Sequence, residues 1–248
     1  MIIGIVGLIG SGKDTIASHL VKNYSYERYS WAMPLKDITA RLFGWNRDML
    51  EGTTSEQRDQ REIQDDWWSS KLGKNWSPRS ALQYMGTEVM RNALHTDIWV
   101  LAGQHWIAGK SNVVIPDTRF PNEITAIREM GGVIWNVRRS NVPDWYAALT
   151  GYKAEYTAHT SWDVDNFMKS TYPAVHASEY SWHGADFDAV IPNDGSVQDL
   201  EYLVDALLGK VTAQALEVSH QAALRLGHCS YLSNTISTVG PEVSPHSV

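Results

Sequence analysis

Residues Gly7 to Thr15 read GLIGSGKDT, directly after an apolar run, Ile2 to Val6. Directly after them, Ile16, Ala17, Leu20, Val21 and Tyr24 recur at helical spacing. This order of strand, glycine-rich turn and helix constrains the chain more than any other feature. A buried strand delivers the backbone to a tight turn, and the turn opens a helix whose first N–H groups point at an anion. Gly7, Gly10 and Gly12, with Ser11 in the turn, let the backbone close round a phosphate chain. Lys13 reaches the outer phosphates as a point charge. Asp14 stands where the usual G-x-x-x-x-G-K-[ST] pattern has a hydroxyl, and Thr15 supplies one a position later. The segment predicts nucleotide binding.

A chain of 248 residues is long enough for one substantial core with insertions. No run approaches the ~18 apolar residues of a membrane span. The N-terminus shows no charged leader before an export segment, so a cytoplasmic protein is expected, with no membrane partner. Cys229 is the single cysteine, which excludes an internal disulfide and a cysteine-built metal cage. A net charge of −7 without a lysine-arginine run argues against a nucleic acid polymer as partner. Several tryptophans fall in polar segments (Trp67, Trp68, Trp76, Trp162, Trp182) and are expected to line a core or a cleft.

Five strand-like segments stand out: Ile2–Val6, Tyr26–Ser30, Val113–Pro116, Val133–Val137 and Ala189–Ile191. Helical patterns separate most of them, so the fold expected is three-layer α/β with a parallel sheet of about five strands. Asn122 and Glu123 open one helix, with Ile124, Ile127 and Met130 apolar and Gly131-Gly132 closing it. Ser196 and Asp199 form an acidic capping box for the last clear helix, whose face is Val197, Leu200, Leu203, Val204, Leu207 and Leu208. Two insertions break the alternation. One, about 33–110, is mostly helical with a polar stretch from Thr53 to Lys74; the other, about 140–188, has scattered aromatics and little periodicity. The domain is expected to end near residue 211. Residues 212–248 form a tail that is partly helical to Leu226 and patternless beyond, with His220, His228 and His246 solvated.

The third strand ends in Asp117, followed by Thr118, Arg119 and Glu123 in the run DTRFPNE. A strand-end aspartate beside a phosphate loop is placed to hold a magnesium shell or steer an acceptor, and Arg119 to grip a phosphate. After the helix start Ser77-Pro78, residues Leu82, Met85, Val89 and Ala93 form an apolar stripe at 100° per residue. Arg79, Gln83, Thr87 and Arg91 form a second stripe with Glu88 beside it, offering guanidinium groups for a monophosphate and an amide and hydroxyl for a base edge. Arg138-Arg139 closes the fourth strand, and no arginine follows between Ser140 and Leu224, where the cations are Lys153, Lys169 and Lys210. A guanidinium that balances moving charge must therefore be Arg119, Arg128, Arg138 or Arg139. Asn193-Asp194-Gly195 makes a tight turn whose backbone could lie along an adenine, with Asn193 at its edge.

Taken together, these pieces resemble the deoxynucleoside monophosphate kinases of tailed bacteriophages, a branch of the P-loop kinases. The matching segments are the loop Gly7 to Thr15, AMPLK ending at Lys36, LQYMGTE from Leu82 to Glu88 with Arg91, Asp117 to Glu123, HASE from His176 to Glu179, and Asn193 to Ser196. They occur in the family's order over about residues 1 to 208; the first insertion is expected to bind the acceptor and the second to be lid-like, and the tail and most of that second insertion lie outside the resemblance. The resemblance implies a P-loop kinase fold, with ATP as donor, Mg2+ as cofactor and a deoxynucleoside monophosphate (dNMP) as acceptor, supplying diphosphates for DNA synthesis. It implies ATP on Gly7, Gly10, Ser11, Gly12, Lys13, Asp14 and Thr15 with Arg138 and Asn193, and magnesium near Thr15 and Asp117. The acceptor would lie on Lys36, Arg79, Gln83, Thr87, Glu88, Arg91 and Arg119. Lys13, Arg119, Arg138 and Asp117 would carry the transfer. Base preference and the role of Asp14 stay open, and a homodimer is compatible with the chain. Two other readings stand beside this one: a kinase for another small acceptor such as dephospho-coenzyme A, and a nucleotide-binding module without catalysis.

Overall fold

A computed structural model describes residues 1–155 and 161–209, with side chains at 153–163 outside the description. The expectations for Cys229, for the tail with its three histidines, for Lys210, and for the side chains of Lys153 and Trp162 lie outside the described residues. The chain divides into two units, Met1–Glu201 and Tyr202–Val248. Residues 197–201 are helical in the first and residues 202–209 in the second.

Five parallel strands form one sheet in the order β2-β3-β1-β4-β5: β1 Ile2–Val6, β2 Glu27–Arg28, β3 Val113–Ile115, β4 Val133–Arg138 and β5 Ala189–Pro192. β1 pairs with β3 on one side (Gly4 opposite Ile115) and β4 on the other (Gly4 opposite Ile134). Its run IIGIV is buried throughout, as both faces are covered by helices. Trp135, Ile3, Ile5, Ile115, Ile127 and Ile134 fill the layers beside it. β2 is shorter than the expected Tyr26–Ser30. Tyr29 still donates its N–H to Val114, but Ser30 then turns away to bond with Asp117.

α1 (Lys13–Tyr24) crosses from β1 to β2. The first insertion is a chain of helices: α2 (Met33–Phe43), α3 (Arg47–Glu51), α4 (Ser55–Glu62), α5 (Asp66–Leu72), α6 (Pro78–Tyr84), a π-helical segment (Met85–Leu94) and α7 (Ile98–Ile107). Phe43, Trp76 and Ala81, with Trp45, Trp68 and Met85, make a separate apolar cluster here. Trp76 is structural as expected, whereas Trp67 is largely exposed. α8 (Pro121–Glu129) leads from β3 to β4.

The second insertion is more regular than its sequence suggests. It contains α9 (Asp144–Glu155), α10 (Ser161–Thr171) and a 3-10 turn, Ala177–Glu179. Leu149, Val164, Met168 and Tyr180 form a small core there. Aromatic residues scattered round these helices hide their period. Ser196 and Asp199 make the expected reciprocal bonds, 2.9 and 3.2 Å, but Val197 is exposed rather than part of the buried face, since it lies on the outward side of the first turn.

Candidate active site

The head of α1 carries no side-chain cap, and Gly12 before it is left-handed (φ 108°). Its first N–H groups, from Lys13 onward, are therefore available to an anion, where the helix dipole also favours negative charge. The loop is packed from behind. A Cβ on Gly12 would lie 2.4 Å from Asn193 Nδ2, and one on Gly7 2.5 Å from the Val137 carbonyl. Asn193 is only 5% exposed, and its Nδ2 donates to the Ser11 carbonyl at 2.7 Å. Nδ2 of Asn193, expected at an adenine edge, here braces the loop instead. Arg139 Nε donates to the Gly10 carbonyl at 3.0 Å, tying the end of β4 to the loop tip. Ser11 Oγ is buried without a protein partner.

Lys13 Nζ donates to the carbonyls of Gly7 and Leu8, both at 2.7 Å. Burial pushes its ammonium down to about 8, and the neighbouring Arg119 guanidinium adds to this, while Asp14, Glu179 and Asp117 oppose it. The field at Lys13 thus brings together groups from the loop, the end of β3 and the 3-10 turn. Asp14 is exposed and pairs with Arg28, and Thr15 lies half-buried in the first turn of α1.

The DTRFPNE run is held by its own acids. Asp117 accepts hydrogen bonds from Ser30 Oγ (2.6 Å), Trp31 N (3.1 Å) and Ala32 N (3.4 Å), fixing the turn between β2 and α2. Glu123, 3% exposed, accepts from the N–H groups of Arg119 (2.7 Å) and Phe120 (3.1 Å) and so caps α8. Burial raises its carboxyl to about 7, with Asp117 adding to the shift and the two backbone donors and Arg91 resisting it. Arg119 Nη1 reaches Glu179 Oε1 at 2.5 Å and Ser178 Oγ at 3.3 Å.

Among the acceptor candidates, Arg91 meets this run: its Nη2 lies 3.9 Å from Glu123 Oε1 and its guanidinium 5.2 Å from the Phe120 ring. Gln83 and Thr87 are exposed, as is Glu88, which accepts from Asn92 at 2.9 Å. Lys36 bonds Glu51 at 2.6 Å, and Glu51 also takes Arg47. Arg79 is exposed; burial lowers the pKa of Arg61, and the nearby Arg79 guanidinium adds to this. The regular stripe expected from Leu82 to Ala93 fails at its end, where Ala93 is exposed while Gly86 is buried. The segment closes its bonds at i→i+5, as His95 N to Met90 O does at 3.0 Å, and this winding turns successive positions away from α-helical register.

Glu51, Arg61 and Glu179 were not singled out by the sequence. HASE carried a signal for Glu179; Arg61, inside the polar helix SEQRDQRE, carried none. Arg138 is exposed, 6.0 Å from the Phe187 ring, and with Arg139, Leu8 and Ile9 it borders a pocket of about 680 Å³. Trp145, Trp182, His176 and Glu179 also line it. Arg128 bonds the Asp186 carbonyl and pairs with Asp188. Among the described residues, no helix is long and apolar enough to cross a membrane.

A family model described as deoxynucleotide monophosphate kinase matches residues 46–147. A protein of Acanthamoeba polyphaga mimivirus, provisionally named a deoxynucleotide monophosphate kinase, is 32% identical over 155 residues, 57% of this chain and 76% of its own length. The deoxynucleoside-5'-monophosphate kinase of Escherichia phage T5 is 25% identical over 64% of this chain and 88% of its own. The deoxynucleotide monophosphate kinase of Enterobacteria phage T4 is 25% identical over 80% of this chain and 95% of its own.

Proposed function

The chain belongs to the deoxynucleotide monophosphate kinase family, and we propose that it transfers the γ-phosphoryl group of ATP to deoxynucleoside 5'-monophosphates, giving the diphosphates. The observation that carries this reading is the uncapped head of α1 with Lys13 folded back on the carbonyls of Gly7 and Leu8, close to Arg119. Two cations converge where a phosphate chain would meet backbone N–H groups. Phosphoryl transfer needs little covalent help from a protein, so positioning and electrostatics provide most of the catalysis. Lys13 holds the outer phosphates, Arg119 balances charge on the moving group, and Arg138 guards the pocket side. Gly7, Gly10, Ser11, Gly12, Asp14 and Thr15 line the donor.

The acceptor lies between the strand ends and the first insertion. Arg91, steadied by Glu123 and Phe120, is its nearest contact, followed by Lys36, Arg79, Gln83, Thr87 and Glu88. The residues also fit magnesium. Mg2+ is held through one or two protein oxygens plus substrate phosphates rather than by an all-protein cage. The Thr15 hydroxyl would be one such oxygen. Asp117, with three of its roughly four acceptor positions taken by Ser30, Trp31 and Ala32, would serve through water. The metal neutralises charge on the bound phosphates.

ADP release should be followed with ATP and magnesium in the presence of dGMP, dTMP, dCMP, dAMP or dephospho-coenzyme A. ADP release that depends on a deoxynucleoside monophosphate is the expected result. Stimulation by dephospho-coenzyme A alone, or indifference to every acceptor, would sink the proposal.

A further inference from the structure

Resting on the phosphoryl-transfer reading, we propose that Glu179, with Ser178, is a positioning residue that anchors one arm of the Arg119 guanidinium and aims its remaining nitrogens at the phosphate. Nη1 alone takes both contacts, Glu179 at 2.5 Å and Ser178 at 3.3 Å. Among the described residues Nε and Nη2 of Arg119 make no protein hydrogen bond. A guanidinium is a rigid planar fork, so fixing one arm fixes the direction of the others.

The anchor is itself held. Ser178 N donates to His176 Nδ1 at 3.2 Å, with Ser178 Oγ 3.0 Å from the same nitrogen. Ser181 Oγ closes the turn by donating to the Ala177 carbonyl at 2.7 Å, and Tyr180 and Trp182 behind it are buried. The backbone of Arg119 is fixed separately by Glu123. Arg119 is thus held at both ends, by α8 through its N–H and by the second insertion through Nη1.

A carboxylate so close to a phosphate site repels the ligand unless a cation separates them. The Arg119 guanidinium pairs with Glu179 and so offsets its charge, while Glu179 also opposes the depression of the Lys13 pKa. A plain staple between two segments is the competing account. A staple whose side chains are 35% and 20% exposed would show in the thermal midpoint rather than in kcat.

The experiment compares wild type, Glu179→Gln, Arg119→Lys and the double variant, reading kcat, the KM for ATP and for dNMP, and the thermal midpoint. Ser178→Ala, alone and with Arg119→Lys, repeats the comparison should Glu179→Gln fail to fold. Misplacement of a catalytic group by about an ångström costs up to about 100-fold, so Glu179→Gln should lower kcat by about 10- to 100-fold. The KM for ATP and the midpoint should scarcely move. In the Arg119→Lys background the same change should cost almost nothing further, since the planar fork it aims is gone. Losses that multiply, or wild-type turnover in Glu179→Gln, would overturn the inference while leaving the kinase reading intact. Wild-type protein without acceptor-dependent ADP release would overturn both.

Discussion

Replacing Asn193 by alanine separates a brace from a base contact. The side chain is 5% exposed and its Nδ2 donates a hydrogen bond to the Ser11 carbonyl at 2.7 Å. Alanine removes that bond and leaves a carbonyl in the loop without its partner. A buried group left unsatisfied costs about 1–3 kcal/mol. Asn193 Nδ2 also stands where a Cβ on Gly12 would sit, so its loss opens space beneath the loop. A cost of about 2 kcal/mol is a large part of the ~5–15 kcal/mol that holds a typical domain together. Urea unfolding of wild type and Asn193→Ala gives this difference directly, and KM for ATP and GTP reads the site. The brace predicts lower stability and a rise in KM that is similar for both donors. Unchanged stability with a loss confined to ATP would refute the reasoning and return Asn193 to the adenine edge.

Further outcomes follow from the same groups. Lys13→Ala should lower turnover by orders of magnitude while circular dichroism stays native; full activity in that variant removes the mechanism. The Lys13 ammonium, held down to about 8, loses its charge above that pH in the unliganded protein. Accordingly kcat/KM for ATP should fall as pH rises through about 8, and a profile flat well beyond it would contradict the burial argument. For Glu123 the sign runs opposite to that of an ordinary paired carboxylate. Its folded pKa of about 7 lies above the usual 4.5, so the native state binds more protons between those values and loses stability as pH rises through that window. The shift corresponds to roughly 3–4 kcal/mol at most. Unfolding free energies of wild type and Glu123→Gln should therefore diverge between pH 4.5 and 7 in favour of the glutamine variant, and parallel curves would refute the shift.

The loop and the sheet were legible because each element announces itself locally. Ile2 to Val6 is a short apolar run, glycines follow it, and helical spacing follows them. Ser196 with Asp199, and Ser77 with Pro78, likewise declare helix starts within four residues. What failed was whatever depends on partners distant in the chain. Asn193 reads as a turn residue, and nothing near it reveals a carbonyl 182 positions away. Glu179 and Arg119 pair across 60 positions. The polar row from Arg79 to Arg91 was drawn with α-helical geometry, and propensity does not distinguish a π-wound segment from an α-helix. Its Gln83 and Thr87 are exposed surface positions in the structure.

That winding in Met85–Leu94 has a consequence for how such a chain can change. Deleting one residue there would let a turn relax to ordinary spacing without displacing either end of the segment. Side chains on either side would keep their directions, and only those within the turn would be redirected. A single codon lost there would therefore change the local winding of this segment while β1 and the head of α1 stay as they are.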